Sequence, residues 1–215
     1  GAAFKREYPL RHEVAEHDAI ADGRIFQRRA VGVRDRLHPQ AALVRQLLEQ
    51  EAVGSLTFVR AALSITAPVG DIRRSRQLGG GALNDLGCYC VSAIRLFAGE
   101  PHRVSAEAVY DEDGVDVQVA ATMRLSSGPL AQFDIGLQHP RRDELELIGT
   151  EGRIVVSDPW ICRGNAIELW RNGRSESVPV DPDNRFGITH EDDVYRIEFD
   201  AVSEAILTGA SPVFG

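Results

Sequence analysis

The stretch Val115-Asp116-Val117-Gln118-Val119-Ala120-Ala121-Thr122-Met123-Arg124-Leu125 decides the fold class. Val115, Val117, Val119, Ala121, Met123 and Leu125 occupy every second position, a strict period of two that marks a β-strand with one buried face. Working outward, Ala131, Phe133, Ile135 and Leu137 repeat the pattern, and the pairs Leu145/Leu147, Ile154/Val156 and Ile167/Leu169 continue it. Turn residues stand between these runs: Asp113-Gly114, Ser127-Gly128-Pro129, Glu151-Gly152 and Asn172-Gly173, the last a strong hairpin signal. Residues 55–66 read as a further strand.

Helical periods flank the strands. Glu13 to Asp22 reads as a helix closed by Gly23. A second runs from Pro39 to about Val53, with proline at its first position and Leu43/Leu47 and Val44/Leu48 paired at i, i+4. A third follows Gly79-Gly80-Gly81 and extends to about Phe97. Its Leu83, Leu86, Cys90, Val91, Ile94 and Phe97 fall on one face at 100° per residue. A last helix starts near Thr189, where Thr189-x-x-Asp192 resembles a capping box. Its apolar stripe is Tyr195, Phe199, Val202 and Ile206, and Gly209 with Pro212 stops it. The expected architecture is α+β, a mostly antiparallel open sheet that meanders, with helices packed on one face.

The 215 residues suit one domain, or one domain plus part of another. The formal net charge of −8 disfavours polyanions, so nucleic acid is not an expected partner. No apolar run reaches the roughly 18 residues that a membrane span requires, and the start GAAFKREYPL carries no signal-peptide core. Cys88, Cys90 and Cys162 have neither a disulfide framework nor zinc-ligand spacing, which favours structural thiols in a reducing cytoplasm. The six histidines do not gather in sequence. Trp160 and Trp170 read as packing residues.

One segment stands apart. In Gly79-Gly80-Gly81-Ala82-Leu83-Asn84-Asp85-Leu86-Gly87-Cys88-Tyr89 a glycine run opens a helix and permits close backbone approach. Asp85 and Tyr89, four residues apart, share a stripe away from the buried face, where they could line a cleft. Judged by its residues alone, the segment reads first as a tight loop before a helix, with Asp85 favouring the helix dipole. It is no dinucleotide loop, since no G-x-G-x-x-G joins a strand to a helix here.

The run GGGALNDLGCYCVSAIRLFAGEP resembles the signature of the glucose–fructose oxidoreductase / inositol dehydrogenase (Gfo/Idh/MocA) family, especially its dihydrodiol and xylose dehydrogenase branch. RDRLHPQAALVRQLLEQEAVGSL, LELIGTEGRIVVSDP and DDVYRIEFDAVSEAILTGASPVFG are similar to further family segments, in the same order. The resemblance implies residues 1–36 as a remnant of the end of a Rossmann nucleotide-binding domain and 37–215 as the C-terminal sheet domain that binds substrate. It implies NAD or NADP for a full-length member and no cofactor held by this chain itself. The expected substrate is a sugar, cyclitol or related hydroxy compound, and the sheet is expected to mediate homo-oligomers. Tyr89 would be the proton donor or acceptor, Asp85 would orient substrate, and Arg73 of Asp71-Ile72-Arg73 would contact it.

The family's Glu-Lys-Pro motif stands here as Glu7-Tyr8-Pro9. Tyr8 thus occupies the place of a lysine and is expected at the substrate side of the cleft. A free tyrosine has a pKa of about 10, and a neighbouring ammonium lowers it into a useful range. With Tyr8 instead, Tyr89 is expected to stay protonated, and the chain by itself is not expected to transfer hydride. A second reading remains open: a non-redox, cofactor-free relative that uses the same sheet as a binding module, a structural partner or a pocket-only enzyme.

Overall fold

The computed structural model describes residues 36–187 and 193–209. The Glu13–Asp22 helix, Tyr8 and the Thr189 capping box fall outside the described residues.

Eight strands form one sheet: β1 (Leu56–Thr66), β2 (Pro101–Tyr110), β3 (Asp116–Leu125), β4 (Leu130–Gly136), β5 (Gln138–Gly149), β6 (Gly152–Val156), β7 (Ala166–Arg171) and β8 (Arg174–Pro179). Their order is β2-β3-β4-β1-β5-β6-β7-β8. The long alternating run is β3, and its apolar positions are buried as its period demands. Asn172 and Gly173 both adopt positive φ between β7 and β8, as a two-residue hairpin requires.

The sheet is not a simple meander. β1 inserts between β4 and β5, pairing parallel with β4 and antiparallel with β5. As a central strand it buries four consecutive residues, Ala61 to Ser64. All other ladders are antiparallel.

Helices cover one face. α1 (Pro39–Glu49) has Pro39 in its first turn, and His38 caps it by accepting from the Gln40 N–H at 3.2 Å. It ends before Val53 because Glu51 takes a left-handed conformation. α2 (Cys88–Ala98) follows a π turn at Leu83–Gly87 and packs on β1 and β4. Leu86, Cys90, Ala93 and Ile94 enter a common core with Val59, Leu63, Phe133, Ile135, Leu145 and Leu147. The other sheet face is polar and half-open. Arg60, Glu107, Ala120, Thr122, Gln132 and Asp134 line a shallow groove on it.

α3 (Asp193–Thr208) corrects the expected stripe. Val194 and Ile197 are its buried residues, whereas Phe199 and Ile206 are 68% and 75% exposed. Both faces of this helix carry apolar residues, so periodicity does not choose between them. Among the described residues no helix is long and apolar enough to cross a membrane.

Candidate functional site

The site grows from the loop between β1 and α2. Two short 3₁₀ turns, Ile72–Arg74 and Arg76–Leu78, fold this loop back on itself. Asp71 caps the first turn through the Arg73 N–H, at 2.8 Å. The Gly81 N–H then donates to the Arg73 carbonyl at 2.8 Å, and the Gly80 N–H to the Ser75 carbonyl at 2.9 Å. A Cβ on Gly80 would stand closer than 3.0 Å to that Arg73 carbonyl, so the glycine is needed for the approach.

This fold brings two sequence-predicted residues together. Arg73 Nε donates to Asp85 Oδ2 at 2.7 Å, and the same guanidinium reaches both oxygens of Asp71 at 3.3 Å. The backbone N–H of Arg73 is the first cause that holds the Asp71 carboxyl below the usual carboxylate range, with the guanidinium adding to it. The hydrogen bond to Asp85, followed by that carboxylate's charge, raises the Arg73 pKa, keeping it a fixed cation. One guanidinium thus stands between two carboxylates, with the side chains of Arg73 and Asp85 both partly exposed.

Tyr89 lies on the first turn of α2, just beyond the π turn that carries Asp85. It is half-buried against the core, and its ring centroid stands 6.4 Å from that of Trp160, tilted by 51°. Trp160 is 1% exposed and donates from Nε1 to the Ala62 carbonyl at 3.0 Å. A π turn widens the helix by one residue per turn and recurs at functional sites. Here it falls between the glycine loop and Tyr89. Tyr8, the fourth sequence-predicted residue, is outside the described residues.

Asp116 is the residue that the sequence reading passed over. It opens β3, and its Oδ2 accepts from the Leu83 N–H at 2.7 Å. A Cβ on Gly81 would stand closer than 3.0 Å to Asp116 Oδ1. The glycine run is thus filled by a carbonyl and a carboxylate of the chain itself. Those negative oxygens do not fit a coenzyme pyrophosphate, which needs free N–H groups at a helix start.

Residues 41–155 match the family model of the GFO/IDH/MocA C-terminal domain. The chain belongs to the GFO/IDH/MocA family. Among members of the Gfo/Idh/MocA family, D-xylose 1-dehydrogenase (NADP(+)) 2 of Haloferax volcanii is 32% identical over 82% of this chain and 53% of its own length. A trans-1,2-dihydrobenzene-1,2-diol dehydrogenase of Danio rerio is 32% identical over 81% of the chain and 52% of its own length. The solved 3-ketoreductase KijD10 of Actinomadura kijaniata, in complex with NADP and TDP-benzene, superposes with a TM-score of 0.72 at 25% identity, covering 84% of this chain and 55% of its own. The chain therefore spans about half the length of the curated Gfo/Idh/MocA relatives it matches. The dihydrodiol and xylose dehydrogenase branch is the one these relatives represent.

Proposed function

We propose that this chain forms the sugar-binding side of an NAD(P)-dependent oxidoreductase. The observation that carries the reading is the ion pair between Arg73 and Asp85, set one helical turn before Tyr89. In this reading the Tyr89 phenol takes or gives the proton of the reacting hydroxyl or carbonyl. Asp85 accepts from a neighbouring hydroxyl, and the Arg73 N–H groups donate to another. Such a set of donors and acceptors suits a polyol or sugar, whose hydroxyls do both. Hydride chemistry is a property of the nicotinamide, which supplies it when bound.

Two of the relatives' names support this reading: the Haloferax volcanii protein is a D-xylose 1-dehydrogenase (NADP(+)), and the 3-ketoreductase KijD10 was solved in complex with NADP. The open sheet face supports self-association: Ala120, Val155 and Trp170 stand there without full burial, and sedimentation at high concentration tests it.

The test is an assay of the complete gene product with a panel of aldoses and NAD⁺ or NADP⁺. Tyr89→Phe is expected to lower kcat by about 100-fold or more while sugar still binds, the loss typical of a missing general acid or base. Turnover at wild-type rate in that variant would remove Tyr89 from the chemistry. Absence of turnover in the parent on every sugar would favour the non-redox reading.

A further inference from the structure

The helix that bears Asp85 and Tyr89 begins without a cap of its own. Ala82 stands at its N-cap position and supplies no side-chain hydrogen bond. The first N–H groups of a helix have no partner within it, and a buried orphan is costly. The Leu83 N–H finds its partner 33 residues away in sequence, on another element, in Asp116 Oδ2 at 2.7 Å. An acidic group at a helix start is also favoured by the helix dipole.

The same carboxylate closes on the glycine loop. Gly81 holds φ at +132°, and the space where its Cβ would stand is taken by Asp116 Oδ1. Gly81 in turn donates its N–H to the Arg73 carbonyl and offers its own carbonyl to the Asp85 N–H at 3.0 Å. One strand-borne side chain therefore packs against the single glycine that hydrogen-bonds the backbones of both Arg73 and Asp85. Asp116 holds this position although burial pushes its carboxyl pKa upward, more than the Leu83 N–H brings it down.

We propose that Asp116 is a positioning residue, a cap supplied by β3 that sets the placement of Asp85 and Arg73 against the substrate. The kinetic consequence rests on the role given above to Asp85 and Arg73; the capping itself does not.

Two measurements test it. In the first, amide hydrogen exchange is followed by NMR in the chain, in Asp116→Ala and in Asp116→Asn. Removing the carboxylate is expected to speed exchange at Leu83 and Asp85 by tenfold or more relative to sheet amides such as Leu63 and Leu147. Asparagine keeps an oxygen that accepts from the Leu83 N–H and is expected to restore most of the protection. Equal acceleration at all these amides in the alanine variant, or no rescue by asparagine, would overturn the proposal. In the second, the complete gene product is assayed with D-xylose and NADP⁺, or with whichever aldose the panel selects. Asp116→Ala is expected to raise KM for the sugar about tenfold with KM for the coenzyme unchanged; an equal rise in both would overturn it. A parent protein that turns over no sugar counts against the oxidoreductase reading alone, and the exchange experiment still decides the role of Asp116.

Discussion

Arg73 Nε and Asp85 Oδ2 meet at 2.7 Å although they stand twelve positions apart, with the 3₁₀ turn Arg76–Leu78 and a glycine run between them. The contact is half-exposed, with 39% and 35% of the two side chains accessible. An ion pair so placed contributes little to stability, under about 1 kcal/mol after solvent screening. Arg73→Ala is therefore expected to shift the denaturant midpoint barely at all. Its effect belongs to recognition, with KM for the sugar expected to rise by about 10–100-fold, as for loss of a charged hydrogen bond. A large stability loss with unchanged KM would show the pair to be structural.

Gly81 and Gly70 form a matched pair for testing the crowding around Asp116. Both have positive φ, but a Cβ on Gly70 meets nothing within 4 Å. Gly70→Ala is expected to cost only the backbone strain, about 1 kcal/mol. Gly81→Ala adds a collision with Asp116 and is expected to cost about 3 kcal/mol or more, read as the difference between two urea midpoints. Equal costs would mean that Asp116 moves away freely.

His38 gives the chain a pH dependence. It is 1% exposed, and burial lowers its pKa to about 4, against the opposing pull of Asp181, Asp158 and Asp193. The unfolded chain binds a proton below about pH 6.5, whereas the folded one does not until about pH 4. Stability is thus full above about pH 6.5 and falls as pH drops toward 4, by on the order of 2–3 kcal/mol. Its neutral Nδ1 accepts from Gln40, so Nε2 carries the proton and is buried without a hydrogen-bond partner among the described residues. His38→Asn keeps the cap and removes the titration. Urea unfolding from pH 7.5 to 4.5 is expected to show a flatter profile in that variant; identical slopes would exclude His38 as the cause.

Trp160→Phe isolates one hydrogen bond. The indole N–H is the partner of the Ala62 carbonyl in the middle of β1. Its loss is expected to cost about 1–3 kcal/mol, since the carbonyl lies where water does not reach. Tyr89 would lose its tilted ring partner's fixed position as well, which tyrosine fluorescence anisotropy can follow.

The legible parts of the fold were those where one face is buried and the other is not. β3 is the clear case, because alternation there has only one solution. The parallel pairing of β1 with β4 was not legible, since a strand's own pattern carries no information about its neighbour's direction. α3 misled because Tyr195, Phe199 and Ile206 satisfy a helical period as well as Val194 and Ile197 do. In the candidate site, helical spacing singled out Asp85 and Tyr89, the resemblance gave them and Arg73 their expected roles, and the structure brings Arg73 onto Asp85. Asp116 was missed because a carboxylate at an alternate position of a strand looks like a solvated one. Only the packing of the Gly81 backbone against it reveals the difference.

The place of β1 also sets an order of events during synthesis. Its two neighbours are β4 and β5, which end at Gly136 and Gly149. When β1 leaves the ribosome, more than 60 further residues must follow before either edge of it can be paired. β2 and β3 can zip together as a hairpin meanwhile, but the strand at the centre of the final sheet stays open on both sides. Long-range closure of this kind is slow, and an open apolar strand invites self-association while it waits. Any truncation ending before β4 leaves Val59, Ala61 and Leu63 with no ladder to join. Fragments of this chain are therefore expected to aggregate, and yields of shortened versions should recover only once Gly149 is included.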